Sequence, residues 1–289
     1  VDLITRVLLD RGDRVLLEEP QYAGARAAFL AAGAEVLTHP VGPEGLDVAT
    51  LPRRAARARL AYVTPSHQFP TGVIMSAPRR LALLAWAREH RALVIEDDYD
   101  GEYRYAGRPI ESLQGLDRAG RVIYLGTFSK VMFPALRLGY LVLPEELVRP
   151  FRAAKALADT GSSTLEQAAL AEFMREGHFE RHLHRTRRRN AARRRALLEV
   201  IATHLGARVE VSGAEAGLHV LVWLRGVSRR ELPRLVERAA AVGVGVYPVT
   251  PHYSRPPNRA GLLLGYAALT EREIRRGIEQ LAAVVDQES

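Results

Sequence analysis

The stretch Ala92-Leu93-Val94-Ile95-Glu96-Asp97-Asp98-Tyr99-Asp100 decides the fold. Four apolar residues in succession suit a strand buried on both faces, the kind found in parallel sheets. The run then passes directly into carboxylates. Val122 to Leu125 repeats the apolar pattern and is followed by Gly126-Thr127-Phe128-Ser129-Lys130; Leu60 to Thr64 does so before the turn-rich Pro65 to Gly72. Between these runs, Pro78 to His90 reads as a helix with Leu81, Leu84 and Ala85 inward. Upstream, Leu3, Ile4, Val7 and Leu8 recur at helical spacing, Arg14 to Leu17 is a short strand, Ala23 to Ala32 a helix and Ala34 to Leu37 another strand. This alternation predicts an α/β fold, a mostly parallel sheet with helices on both faces.

From about Glu145 the texture changes. Helical patterns dominate to His204, then strands are expected at 207–211 and 218–224, a helix at 229–242, strands at 244–248 and 262–265, and a last helix at 271–285 with Thr270 as N-cap. The division expected is a large domain over residues 1–190 and a smaller α+β domain over 191–289. Val1 falls inside an amphipathic helix without an initiator Met, so the chain reads as the N-terminally shortened form of a longer one.

Composition narrows the chemistry. In 289 residues there is no cysteine, which removes disulfides, thiolate metal sites and a cysteine nucleophile. The uncharged stretch Ala240 to Ser254 is broken by Gly243, Gly245, Pro248 and Pro251, and no segment is expected to span a membrane. Without a secretory leader pattern, the expected location is the cytoplasm. The net charge is +8, and Arg181 to Arg195 alone holds eight arginines and no acid. Lys130 and Lys155 are the only lysines among 41 basic residues. A position that keeps lysine in so arginine-rich a chain points to chemistry guanidinium cannot do, such as imine formation with an aldehyde.

Three polar segments follow apolar strands at their C-terminal ends, where open α/β sheets bind ligands. They are Thr64 to Gly72, Glu96 to Asp100, and Gly126 to Lys130 with Arg137 beyond. Hydroxyls and a guanidinium suit a phosphate dianion, and an amine suits a carbonyl. Pyridoxal 5′-phosphate (PLP) needs both, and also a carboxylate for its ring nitrogen. Strand alternation puts Asp97 on the face of Leu93 and Ile95, where burial would be offset by pairing with the protonated ring. Two other readings of the acidic run remain open here, a Mg²⁺ site and a solvated turn, although no glycine-rich P-loop accompanies it.

Taken together, Ser66-His67-Gln68-Phe69-Pro70-Thr71-Gly72, Ile95-Glu96-Asp97-Asp98-Tyr99-Asp100, Gly126-Thr127-Phe128-Ser129-Lys130 and Pro134-Ala135-Leu136-Arg137-Leu138-Gly139-Tyr140 resemble the fold-type I, PLP-dependent aminotransferase superfamily. The His-Gln-Phe-Pro variant and the acidic run look most like the aminotransferase-like domain of MocR-type regulators, a branch of the GntR transcription factors. Ordinary aminotransferases usually carry Asn where Phe69 stands. The resemblance implies Lys130 as the Schiff-base lysine, Asp97 as partner of the pyridinium nitrogen, and Tyr99 at the ring hydroxyl with His67 or Gln68 assisting. It implies Tyr22 stacked on the ring, and Thr127, Ser129 and Arg137 around the phosphate. No metal is expected. Arg259 is the nearest arginine to the late strand where many aminotransferases hold a substrate carboxylate.

The function expected from the resemblance is an effector domain that senses an amine or amino acid through Lys130. DNA would be bound by a winged helix upstream, and the protein would be a homodimer. The alternative is a working aminotransferase acting on an amino acid. The Arg181 to Arg195 helix is read as a structural linker or solvated face, with an auxiliary DNA contact as the second reading. His178, His182 and His184 lie among arginines that repel a divalent cation, and Lys155 is read as ordinary.

Overall fold

The computed structural model describes residues 1–107 and 110–287. In chain order the elements are α1 (Asp2–Leu8), β1 (Arg14–Glu19), α2 (Ala23–Ala31), β2 (Glu35–Gly42), β3 (Gly45–Leu46), β4 (Ala58–Val63), α3 (Ala77–His90), β5 (Leu93–Asp98), α4 (Leu113–Leu116), β6 (Val122–Thr127) and β7 (Gly139–Val142). There follow α5 (Glu145–Asp159), α6 (Thr164–Arg175), α7 (His178–His204), β8 (Val209–Ser212), β9 (His219–Leu224), α8 (Leu232–Ala241), β10 (Tyr247–Pro248), β11 (Ala260–Gly265) and α9 (Glu271–Asp286). Among the described residues no helix is long and apolar enough to cross a membrane.

Two compact units emerge. The first takes the described residues of 1–69, 73–101 and 108–182; the second takes 70–72, 102–107 and the described residues of 183–289. The division thus falls inside α7, and two short segments of the first half belong to the second unit.

The first unit is built on a seven-stranded sheet of order β3-β2-β1-β4-β5-β6-β7. β2, β1, β4, β5 and β6 run parallel, while β3 and β7 at the two edges are antiparallel to their neighbours. The expected α/β architecture is therefore present. Period-two alternation divides its core. Leu16, Ala61, Val63, Val94 and Val122 pack on Leu83, Trp86 and Ala87 of α3. Val15, Leu17, Leu60, Tyr62, Ile95 and Ile123 pack on the other face against Ile4, Ala25, Phe29 and Phe151 from α1, α2 and α5. Strands covered on both faces leave no solvent face to alternate with, which is why these segments read as unbroken apolar runs.

The antiparallel edge strand β7 escaped the pattern. Four residues, three of them exposed, carry too little alternation to announce a strand. The helical region also resolves into three helices. Helix breaks at Thr160, in the left-handed region with φ of 54°, and at Gly177, φ of 69°, separate α5, α6 and α7.

The second unit has a four-stranded antiparallel sheet, β10-β11-β9-β8, with α8, α9 and the C-terminal part of α7 packed on it. Its order of strand, strand, helix, strand, strand, helix is the expected one. The expected strand at 244–248 shrinks to Tyr247–Pro248, since proline has no N–H for the ladder and Gly243 and Gly245 weaken what precedes it. Thr270 caps α9 through a reciprocal box with Glu273, as its position suggested.

Candidate functional site

The site grows from the C-terminal end of β5. Because side chains alternate, Asp97 follows Ile95 onto the face of Tyr62, and Glu96 points the other way. Glu96 is spent structurally: its two oxygens accept the N–H groups of Leu113 (2.9 Å) and Gln114 (2.9 Å) at the start of α4, and Arg80 lies 3.5 Å away. Arg80, itself 1% exposed, donates to the carbonyls of Met75, Pro65 and Glu111. Asp98 accepts from the Tyr124 hydroxyl at 2.7 Å.

Asp97 is different. It is buried, accepts a short hydrogen bond from the Tyr62 hydroxyl on Oδ2, and leaves Oδ1 without a partner. Burial pushes its carboxyl up to about 6 against the opposing pull of the Tyr62 bond. A buried carboxylate with one unmatched oxygen is poised for a cation that hydrogen-bonds. Tyr62 was missed by inspection of the sequence, because within an apolar strand it reads as core.

The neighbouring strand supplies the rest. β5 and β6 pair so that Asp97 stands opposite Leu125, two residues before Thr127 and five before Lys130. A Cβ at Gly126, near the end of β6, would meet the far end of the Tyr140 side chain across the β6–β7 pair, which would have to shift. The Thr127 hydroxyl accepts from the Ser129 N–H at 3.1 Å, shaping the turn that carries Lys130, which is exposed. Thr127, Ser129 and Arg137 line a cavity of ≈ 750 Å³ together with Arg152 and Lys155 of α5. Arg137 sits there in the left-handed region, φ 52°, as the residue closing the turn at Pro134–Leu136. Lys155 also pairs with Asp159, one helical turn on.

Tyr22, Phe69 and Tyr99 form an aromatic row. Tyr22 and Phe69 meet edge to face at 5.9 Å, and Phe69 and Tyr99 do so at 5.8 Å. Tyr22 is 47% exposed. Gln68 faces inward instead: its amide donates to the Pro20 carbonyl (2.7 Å), the Phe69 carbonyl (2.8 Å) and Glu18 (3.3 Å). His67 is buried too, with Nδ1 at 3.0 Å from both the Tyr99 hydroxyl and Asp100 Oδ2.

Glu18, a second residue whose role the sequence concealed, ties this turn to β1. Its Oε2 accepts from the Thr64 N–H (3.1 Å) and hydroxyl (3.0 Å), while Oε1 has no partner. Burial outweighs these bonds and raises its carboxyl to about 7. A carboxyl raised in the folded state binds its proton more tightly there than in the unfolded chain, so stability falls as pH rises through this window. Between pH 4.5 and about 7 the decline attributable to Glu18 is on the order of 3 kcal/mol. Glu18→Gln is expected to flatten that part of the curve in thermal melts of the ligand-free protein. A variant whose melting temperature falls in parallel with the parent would refute the assignment.

The remaining candidates are accounted for locally. His178 lies 3.0 Å from Glu176 and 2.7 Å from Arg181, and His182 Nε2 is 2.8 Å from the Val131 carbonyl. In the second unit Arg187 and Arg194 bond the carbonyls of Glu102 and Ala214. Arg259 pairs with Glu210 at 2.8 Å and lies over the Trp223 ring.

A family model described as aminotransferase class I and II matches residues 1–281. The chain is 42% identical over 275 residues to the uncharacterized HTH-type transcriptional regulator YhdI of Bacillus subtilis, covering 94% of this chain and 57% of that protein. It is 38% identical over 283 residues to the probable rhizopine catabolism regulatory protein MocR of Rhizobium meliloti, covering 97% and 56%. The chain therefore spans a little over half the length of these regulators. Among solved structures it matches LysN, an α-aminoadipate aminotransferase from Thermus thermophilus, with a TM-score of 0.90 and 33% identity, covering 99% of this chain and 74% of that one. That structure is complexed with N-(5′-phosphopyridoxyl)-L-leucine. Family membership implies PLP as the cofactor, and the residues fit it: Asp97 has an unmatched buried oxygen for a ring N–H, and Thr127, Ser129 and Arg137 line one cavity at the end of β6. The chain belongs to the aminotransferase class I and II family and has MocR-type HTH regulators among its relatives.

Proposed function

We propose that this chain is the PLP-binding effector module of a MocR/GntR-type transcription regulator, responding to an amine or amino acid. The observation that carries the cofactor part is Asp97, a buried carboxylate at a strand end with one oxygen unpartnered. Similarity to HTH-type regulators supports the regulatory part.

In this reading the ε-amine of Lys130 is the covalent anchor, and Asp97 keeps the proton on the ring nitrogen. Tyr99 donates to the ring hydroxyl, and Tyr22 covers the ring. Thr127, Ser129 and Arg137 hold the phosphate, where two hydroxyls and a guanidinium match three anionic oxygens. When bound, the cofactor supplies an aldehyde carbon that amines capture and a ring that withdraws electrons. Lys130 would be the residue of this chain whose contacts change when an amine takes its place. Such a signal reaches DNA only if the ligand favours one conformational state over another. The intact protein would act as a homodimer and contact DNA through a helix-turn-helix segment.

A working aminotransferase is the second reading, favoured by the likeness to LysN. There Lys130, once released, would move the proton as general base. Titrating the PLP-loaded protein with a panel of amino acids and amines, with a keto acid present, separates the two. A saturable spectral change without accumulating keto-acid product, accompanied by altered retention of promoter DNA by the intact protein, supports the regulator. Sustained product formation with indifferent DNA retention would establish the enzyme instead.

A further inference from the structure

Eight arginines and no acid stand between Arg181 and Arg195, and they match the whole net charge of +8. Some of them are structural ties of the second unit. Arg187, Arg193 and Arg194 donate to the carbonyls of Glu102, Ala267 and Ala214, and Arg194 also lies over the Tyr105 ring. Arg185, Arg188, Arg189 and Arg195 are exposed and, among the described residues, take part in no hydrogen bond or ion pair.

With about 3.6 residues per turn, these four fall on one side of α7, within about 120° of each other, in a row about 15 Å long. The other side carries the buried residues Thr186, Asn190, Leu197 and Ile201. Glu199, four residues after Arg195, is paired with Arg275 at 2.9 Å and neutralises none of the row. Like charges three and four residues apart, as Arg185 is from Arg188 and Arg189, work against a helix. Other exposed arginines have carboxylate partners: Arg6 pairs with Asp2, Arg175 with Glu172 and Arg259 with Glu210. The row on α7 is thus uncompensated from within the second unit.

We infer that this row is a docking surface for the phosphate backbone of double-stranded DNA. A duplex presents one charge per about 1.7 Å of axis, so a row of this length meets several phosphates whatever the sequence. Guanidinium forks match phosphate oxygens two at a time. Such contacts add affinity and fix orientation without reading bases. A membrane surface fits less well, because a helix lying there needs an exposed apolar face. α7 spends its apolar side, Leu197, Val200 and Ile201, on the core of the second unit. The choice of DNA among polyanions rests on the regulator reading and its HTH-type relatives.

Fluorescence anisotropy of this chain with a labelled duplex of about 30 base pairs and arbitrary sequence reads the surface directly. Affinity is expected to fall on the order of 100-fold between about 50 and 200 mM salt, a log–log slope of roughly −3.6 for four phosphates. Arg185→Gln, Arg188→Gln, Arg189→Gln or Arg195→Gln alone should each take about 0.9 from that slope, and the fourfold variant should flatten it. The single variants carry the test if the fourfold one does not fold. Changing Arg53, Arg54, Arg57 and Arg118, exposed arginines of the first unit, to Gln removes the same charge and should leave the slope as it was. A parent that does not bind, a fourfold variant with the parental slope, or a control that loses as much would overturn the inference. Tighter binding at equal salt to duplex RNA, or to vesicles of anionic phospholipid, would replace DNA as the occupant and overturn it too. The amino-acid titration judges the regulator reading separately. Sustained product formation by a chain whose row binds DNA would sink that reading alone; a chain that responds to amines and ignores DNA would sink this one alone.

Discussion

Lys130→Ala is expected to abolish the visible absorbance that PLP induces in this protein, and with it any adduct that borohydride can trap. The effect should be complete rather than graded, because an imine requires a primary amine and alanine supplies none. The composition makes the experiment unusually clean. With only Lys130 and Lys155 present, reduction followed by peptide mass analysis has two side-chain amines to distinguish. Lys155 lies on α5, paired with Asp159 and lining the same cavity, so Lys155→Ala is the natural control. Retention of the band in Lys155→Ala and its loss in Lys130→Ala would establish the anchor. A trapped adduct on Lys155 would relocate it to the helix and remove the basis for every role given to the β6 turn.

Asp97→Asn is expected to move stability and cofactor retention in opposite directions. In the ligand-free chain the buried carboxyl is raised from 3.8 to about 6. A group raised on folding favours the folded state at low pH and costs stability as pH rises from 3.8 through about 6. At pH 7.5 the neutral amide escapes that cost, a gain of roughly 3 kcal/mol in the ligand-free protein. It keeps an oxygen for the Tyr62 hydroxyl. With PLP bound, the balance reverses. A carboxylate facing a protonated ring nitrogen contributes about 1.5–3 kcal/mol as a charge-assisted hydrogen bond, so retention should weaken ~10–100-fold. Thermal melts with and without PLP, at pH 7.5, read both signs from one sample. A variant less stable than the parent when ligand-free, with unchanged retention of PLP, would return Asp97 to an ordinary structural role. The opposed signs distinguish a functional carboxylate from a structural one, because a group selected only for stability would not be left with an unmatched buried oxygen.

The parallel sheet and most of the order of elements were legible in the residues, β7 and the division of the helical region excepted. Leu93 to Ile95 and Val122 to Leu125 are apolar on both sides because both sides are covered, and that is a local signal. The side-chain alternation that put Asp97 on the face of Ile95 is equally local, since it depends on a period of two and nothing else. Lys130 was exposed by composition, as one of two lysines in an arginine-rich chain. What tertiary structure alone decided are the partnerships. Tyr62 reaches Asp97 across 35 residues, Glu18 reaches Thr64 across 46, and His67 reaches Asp100 across 33. Each joins neighbours in a parallel sheet, and parallel neighbours are linked by long crossovers that hide their register from any local pattern. Burial has the same origin: His67, Gln68 and Asp100 are polar letters in a turn-rich segment, and only the packing of β1, β4 and β5 around them removes them from water. The residues supplied the polar groups at the strand ends; the fold chose which of them pair with one another, because that choice is made by contacts between strands remote in sequence.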